Sequence, residues 1–354
     1  MKIIVVGDWH SQIHEEPVYQ AFKKLGHETF RFSWHQYFKI SPNQSLKYML
    51  RDVFYKFQRK FIVGPSINKI NRDFLKKVAE VNPQFIFIYR GTHIWAKTIR
   101  KVKNFYPKII IAGYNNDDPF SKLYPAFLSR HYLRAISVYD WIFAYRQKNI
   151  LEYKKLRYSN VSLLRSYFIK EKNYPVSDLQ TQKYKTDVIF AGHYENDGRD
   201  DYIKGVLDSG IKFKLFGPEW ECSQYYQYFI SKLETIPYLT NDYNLALNST
   251  KIALVFLSKL NNDTYTRRCF EISAAKTFML SQYTDDLDSM FKQGVEAEYF
   301  RDKEEMLDKI RYYLKHNDKR EKIAQAGYER LLRDGHEVTD RAGEILSVYR
   351  EYFE

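Results

Sequence analysis

The sequence predicts an α/β protein of two domains, each a parallel sheet flanked by helices. Three observations carry this reading. The chain has 354 residues, long for one hydrophobic core and comfortable for two. Short apolar runs with no polar alternation, at 3–6, 85–88 and 252–257, recur along it, which is how strands covered on both faces read. Segments with helical spacing separate these runs, and strand–helix–strand succession builds parallel sheets.

Composition narrows the setting. The formal charge is +13 with a pI near 9.3, which favours anionic partners: a nucleotide, a membrane surface or nucleic acid. Cys222 and Cys269 are the two cysteines, too few for a disulfide framework, so a reducing compartment is expected. The N-terminus is apolar for only a few residues before Asp8, a first strand rather than a signal peptide. No apolar stretch approaches the roughly 20 residues that span a bilayer. A cytoplasmic protein, peripheral to a membrane at most, is the expectation.

Residues 3–6 form the first strand, ending in Gly7-Asp8-Trp9-His10-Ser11. Residues 16–25 have helical spacing through Val18, Ala21, Phe22 and Leu25; Gly26 stops the helix and 27–32 is the next strand. No G-x-G-x-x-G follows the first strand, so a dinucleotide cofactor is not indicated. His10, His14 and Glu15 lack the HExxH arrangement and a fourth ligand; packing, or lining a cleft at the strand ends, suits them better.

From 39 to 77 the charge is lopsided. Lys39, Lys47, Arg51, Lys56, Arg59, Lys60, Lys69, Arg72, Lys76 and Lys77 face only Asp52 and Asp73, with Tyr48, Phe54, Tyr55, Phe57 and Phe61 interleaved. A solvated basic face, a patch for anionic lipid and a nucleic-acid groove all use these residue types. Asn82-Pro83 marks a turn before the strand 85–88, then come a helix over 94–105 and a strand over 109–111. That strand runs toward Asn116-Asp117-Asp118-Pro119-Phe120. Carboxylates at a strand end lie where α/β sheets build sites, so Asp117 and Asp118 are candidate general bases; solvated acids in an Asp-Pro turn are the plain alternative. A strand over 141–144, a helix over 147–156 and a strand over 161–164 follow, and 170–185 reads as a linker.

In the second half, the strand 187–191 leads to Gly192-His193-Tyr194-Glu195, with Gly198-Arg199 before a helix, a loose phosphate-loop arrangement. The strand 211–216 ends in Gly217-Pro218-Glu219-Trp220. After 252–257 and a polar loop over 258–263, a helix opens at Thr264 or Thr266 and a short strand begins at Phe278. The amides and partial positive charge of that helix start suit a phosphate. Arg268 and Glu271 share one helix face: the arginine fork suits a diphosphate, and the carboxylate suits both hydroxyls of a ribose. A solvated ion pair is the plain alternative. Residues 286–291 with Gly294 read as a linker to a strand at 297–300, and helices are expected over 303–314, 318–332 and 341–352.

The run Arg-Cys-Phe-Glu-Ile at 268–272, with Ala274-Ala275 and then Phe-Met-Leu at 278–280, resembles the donor-site segment of GT-B glycosyltransferases, the CgeB-like (spore maturation protein) group among them. The resemblance implies the GT-B fold: two Rossmann-like domains with parallel sheets facing across a cleft. It gives Glu271 the ribose and Arg268 the diphosphate, with Arg267 beside them. The Asn-Asp-Asp-Pro-Phe segment resembles the acidic loop of CgeB-like proteins and is similar to the aspartate preceding Pro-Phe-Ser in a phage β-glucosyltransferase that modifies DNA. That implies Asp117 or Asp118 as the base, in a shifted register, and brings His10 into the site. Residues 187–199 resemble the start of the donor domain in both families, which implies that Gly192, His193 and Arg199 lie near the phosphates; Glu195 stands where the phage enzyme has a second arginine. Gly217 is implied as a nucleobase contact.

The resemblance is strongest over 187–352 and weaker over 71–120. It implies an N-terminal acceptor domain at 1–169, the linker 170–185, a donor domain at 186–335 and a terminal helix at 336–354 packing back toward the first domain. The implied activity moves a sugar from a nucleotide-diphosphate sugar, UDP being one carrier, to a hydroxyl of a glycan, lipid-linked or surface-polysaccharide acceptor, with no metal or other cofactor. A DNA-base glucosyltransferase and a non-catalytic nucleotide-sugar-binding protein are the alternatives.

Overall fold

The computed structural model describes residues 1–39, 45–176, 183–239 and 241–354, without the side chains of 46–48. They form two compact units, residues 1–165 with 338–354, and residues 166–337.

The first unit runs β1 (Lys2–Gly7), α1 (Glu15–Lys24), β2 (Glu28–Ser33), α2 (Leu46–Phe61), α3 (Pro65–Val81), β3 (Phe85–Tyr89), α4 (Ala96–Phe105), β4 (Ile110–Asn115), α5 (Ala126–Ala135), β5 (Trp141–Ala144), α6 (Gln147–Lys155) and β6 (Val161–Leu163). Its sheet has six strands in the order β2-β1-β3-β4-β5-β6, all parallel. Ile3 to Val6 and Ile86 to Ile88 have no solvent exposure, because helices cover both faces of a parallel sheet. The strand expected at 109–111 is longer: β4 continues through Gly113, where a Cβ would lie 3.1 Å from the Tyr139 ring. Asp117 and Asp118 therefore start just beyond a strand end at Asn115.

The second unit runs β7 (Thr186–Ala191), α7 (Arg199–Asp208), β8 (Phe213–Phe216), α8 (Tyr226–Leu233), α9 (Tyr243–Asn248), β9 (Thr250–Val255), α10 (Arg267–Ala274), β10 (Phe278–Gln282), α11 (Asp285–Met290), β11 (Glu298–Phe300), α12 (Lys303–Lys315) and α13 (Asn317–Arg333). Its five strands are ordered β11-β10-β9-β7-β8, again parallel. The chain leaves β7 for β8 on one side and later returns to β9 on the other. This reversal opens a crevice outside the strand ends, where α/β sheets take ligands.

Two segments differ from the sequence reading. The acid-rich stretch expected as linker is α11, nucleated by Thr284, whose hydroxyl accepts from Leu287 N at 3.0 Å, an N-cap favoured further by three aspartates in the first turn. Residues 173–176, read as linker, are pinned to α9: Asn244 Nδ2 donates to Tyr174 O at 3.0 Å and Val176 N to Asn248 Oδ1 at 2.8 Å. The last helix, α14 (Val338–Phe353), belongs to the first unit. Its Tyr349 meets Phe85 at 5.5 Å and its Tyr352 meets Trp141 at 4.5 Å between ring centroids. Among the described residues no helix is long and apolar enough to cross a membrane.

Candidate functional site

At the switch point of the second unit, the loops after β7 and β9 are tied together. Glu195, buried, accepts from Ser258 Oγ at 2.7 Å and from His193 Nε2 at 2.8 Å. Lys259 Nζ donates to Asp197 O at 2.7 Å. Burial raises the Glu195 pKa, but the His193 bond, the Arg199 charge and the Ser258 bond outweigh it, so the carboxyl is held below its usual range. The acid standing where an arginine was expected is thus an internal tether between loops.

Arg199 belongs to the same tether. It opens α7 after Gly198 at φ 93°. Its guanidinium is buried, forked onto Asp197 at 2.9 and 2.6 Å, and donates to His193 O at 2.9 Å. Its donors are directed at the protein, which suits it to shaping the loop more than to facing a phosphate. His193 itself is half-exposed, with 44% of its side chain open.

Arg268 is placed differently. It lies in the first turn of α10, whose N-cap Thr266 accepts from Arg268 N at 3.1 Å while Cys269 N bonds Thr266 O at 3.1 Å. The helix start is therefore partly capped by its own hydroxyl, and offers an anion fewer free amides than the sequence suggested. The Arg268 side chain supplies what the amides do not. Its guanidinium is half-buried 5.8 Å from the Phe190 ring centroid. Among the described residues it makes no hydrogen bond or ion pair. Gly192 makes room for it: a Cβ there would stand 2.8 Å from Arg268 Nη2 and 2.7 Å from the Phe190 ring. Gly217, at φ 129°, in turn lets the β8 loop lie on the backbone after β7, since its Cβ would stand 2.2 Å from Gly192 O.

Glu271 sits one turn along α10 and is 8% exposed, which does not fit the solvated ion pair. Burial raises its pKa, opposed by the charges of Arg267 and Arg268 and by the Tyr243 hydroxyl. Arg267 is half-buried and lies over the Tyr167 ring at 4.3 Å. Gly192 thus lies against Arg268 and Gly217 against Gly192, with Glu271 one turn along α10 from Arg268, while Arg199 and Glu195 tie the neighbouring loops. Tyr243, at the start of α9, is the neighbour that sequence reading missed.

In the first unit, the loops after β1 and β4 carry the acids, and the loop after β3 carries Arg90. Asp117 is partly exposed and pairs with Arg90 at 3.3 Å. Arg90, in left-handed backbone at φ 64°, also donates to Asn116 Oδ1 at 3.1 Å. The Asp117 charge is the main reason the Arg90 pKa is raised. Asp118 is buried: it accepts from Asn149 Nδ2 at 2.9 Å and from Phe120 N at 3.0 Å, with Lys148 Nζ at 3.4 Å. Of the two, Asp117 is the one presented outward, and Asp118 holds its loop. His10 is exposed and stacks on His35 at 4.8 Å. His14 contacts the Tyr89 hydroxyl at 3.3 Å and Glu15 accepts from Asp8 N at 3.0 Å, so these three residues serve separate partners. No cluster of three or more potential metal ligands occurs among the described residues.

Comparison with known proteins adds to this geometry. Residues 201–347 match a family model described as glycosyl transferase-like. The fold is shared, over 100% of this chain and 99% of the other, with sucrose-phosphate synthase from Thermosynechococcus elongatus at a TM-score of 0.70 and 10% identity. A glycosyltransferase from Rickettsia africae matches at a TM-score of 0.70 and 11% identity, covering 99% and 98% of the two chains. HepE from Anabaena, solved with UDP and glucose, matches at 0.64 and 11%, covering 99% of each. No curated protein matches the sequence significantly. At such identities the structural likeness speaks for the fold, and the family match speaks for the chemistry. The chain has the two-domain GT-B fold and carries a glycosyl transferase-like domain, which makes it an enzyme of the glycosyltransferase type.

Proposed function

We propose that the protein transfers a sugar from a nucleotide-diphosphate sugar to a hydroxyl of a glycan, lipid-linked or surface-polysaccharide acceptor. One observation carries the reading: a half-buried arginine whose guanidinium has no hydrogen-bonded or ion-paired partner among the described residues, at the switch point of a parallel sheet, one helical turn from a buried carboxylate. Arg268 holds the diphosphate and Glu271 accepts from the ribose hydroxyls, with Gly217 toward the base. As the bond between the sugar's anomeric carbon and the phosphate oxygen breaks, charge builds on the diphosphate, and a donor preset at that place stabilises it. Asp117 takes the acceptor hydroxyl's proton as the new bond to the anomeric carbon forms. That HepE was solved with UDP and with UDP-glucose on the same fold supports a uridine carrier. With Arg268 neutralising the leaving group, turnover needs no divalent metal and is unchanged by a chelator.

The test is a thermal-shift panel of UDP, GDP, dTDP, CMP and their sugars. A ligand that binds only the native state raises the melting temperature, and one diphosphate series is expected to do so. No shift with any of them at millimolar concentration overturns the reading.

A further inference from the structure

Helix α2 is folded with polar residues inward. Asp52 and Gln58 are buried; Gln58 Oε1 accepts from Ser66 N at 2.8 Å, and Arg51 pairs with Asp52 at 3.2 Å. Met49, Leu50, Val53, Phe54 and Phe57 are instead 49 to 63% exposed. At 100° per residue these five cover an arc of about 140°, one continuous outward strip. The exposed cations Lys56, Arg59 and Lys60 stand along it. Other large apolar side chains on the described surface, such as Phe105 and Val295, stand outside any such strip.

At the C-terminal end of α2 lies a cavity of about 410 Å³, lined among others by Ile62, Trp95, Lys97, Arg130, His131 and Arg134, with no acidic residue among the described ones. Arg130 Nη2 donates to Phe61 O and Ile62 O, each at 2.7 Å, satisfying carbonyls at the helix end. Lys97 and Arg134 are exposed and make no ion pair among the described residues; Lys97 Nζ lies 4.1 Å from the Trp95 ring centroid. A cavity with free cations and an aromatic wall thus adjoins an apolar strip.

Charge decides the occupant. A second copy of the chain across a two-fold axis would cover the strip but set Lys56, Arg59 and Lys60 against their own images, which is repulsive. A bilayer with anionic headgroups takes up the apolar side chains and neutralises the cations together. We propose that the outward face of α2 inserts into an anionic membrane surface, with Lys97 and Arg134 of the adjoining cavity holding a lipid phosphate. The strip and the cavity lie wholly in the first unit, so this does not depend on where the nucleotide binds.

The experiment is co-sedimentation with vesicles of phosphatidylcholine, with and without phosphatidylglycerol. The wild type is expected to partition onto the anionic vesicles and not onto the neutral ones. Phe54→Ser with Phe57→Ser should lower that partition more than tenfold, since each ring loses most of its burial in the acyl region. Lys97→Gln with Arg134→Gln should lower it roughly fivefold per charge and weaken its salt dependence. Melting curves confirm that both variants are folded. The proposal is overturned if folded wild type ignores anionic vesicles, if both variants bind as it does, or if the strip variant only converts a dimer to a monomer.

Discussion

Arg268→Ala separates a ligand-binding arginine from a structural one. A hydrogen bond to a charged group contributes about 1.5–3 kcal/mol. If Arg268 holds the diphosphate, its removal should weaken UDP binding by roughly 10- to 150-fold. The effect on the fold should be small. The guanidinium makes no hydrogen bond or ion pair among the described residues, so truncation orphans no acceptor. What is lost is its position 5.8 Å from the Phe190 ring, about 0.5 kcal/mol for such a contact at a partly open site. Arg268 also opposes the burial-driven rise in the Glu271 pKa, so that carboxyl titrates at still higher pH in the variant. Calorimetric titration with UDP, paired with urea denaturation, gives both quantities. UDP affinity within twofold of wild type in a folded variant, or a stability loss of several kcal/mol, would refute the reasoning.

Glu271→Gln carries a pH signature: with the Glu271 pKa raised above 4.5 by burial, the native state holds a proton that the unfolded chain releases. Wild-type stability thus falls as pH rises from 4.5 through the raised value, and the stability of Glu271→Gln relative to wild type should rise across that interval and then level off in urea melts, with UDP affinity reduced several-fold throughout. Glu195 has the opposite sign: its lowered pKa adds stability present above 4.5 and lost as pH falls through the lowered value, so Glu195→Gln should flatten that acid limb. Asp117→Asn should lower kcat with UDP affinity unchanged, whereas Asp118→Asn should cost about 1–3 kcal/mol of stability through its buried hydrogen bonds; both are read by transfer assays beside melting curves. Gly217→Ala should destabilise by at least about 2 kcal/mol, because a Cβ 2.2 Å from Gly192 O at φ 129° combines strain with a backbone clash.

Much of the fold was legible because a parallel sheet buried on both faces writes its strands as unbroken apolar runs, as at Ile3 to Val6 and Ile252 to Val255. Residues 286–291 were misread as linker because their acids break that kind of pattern, while the signal that starts α11 is a single capping threonine. The Arg268 and Glu271 pair was legible as one helix face. Arg199 and Arg268 look alike in sequence, yet one is consumed by Asp197 and His193 O and the other is not. That difference lies in tertiary partners. The tether from Glu195 to Ser258 and the pair from Arg90 to Asp117 likewise join residues 63 and 27 positions apart, beyond the reach of local spacing. The inverted polarity of α2 was half visible: its aromatic and basic residues stood out, but only burial tells which of them face outward.

The most direct measurement is a structure of the protein grown with UDP. The account expects diphosphate oxygens within hydrogen-bond distance of the Arg268 guanidinium, about 3 Å, and both ribose hydroxyls on the Glu271 carboxylate. A nucleotide bound elsewhere, with both of those side chains untouched, would contradict it.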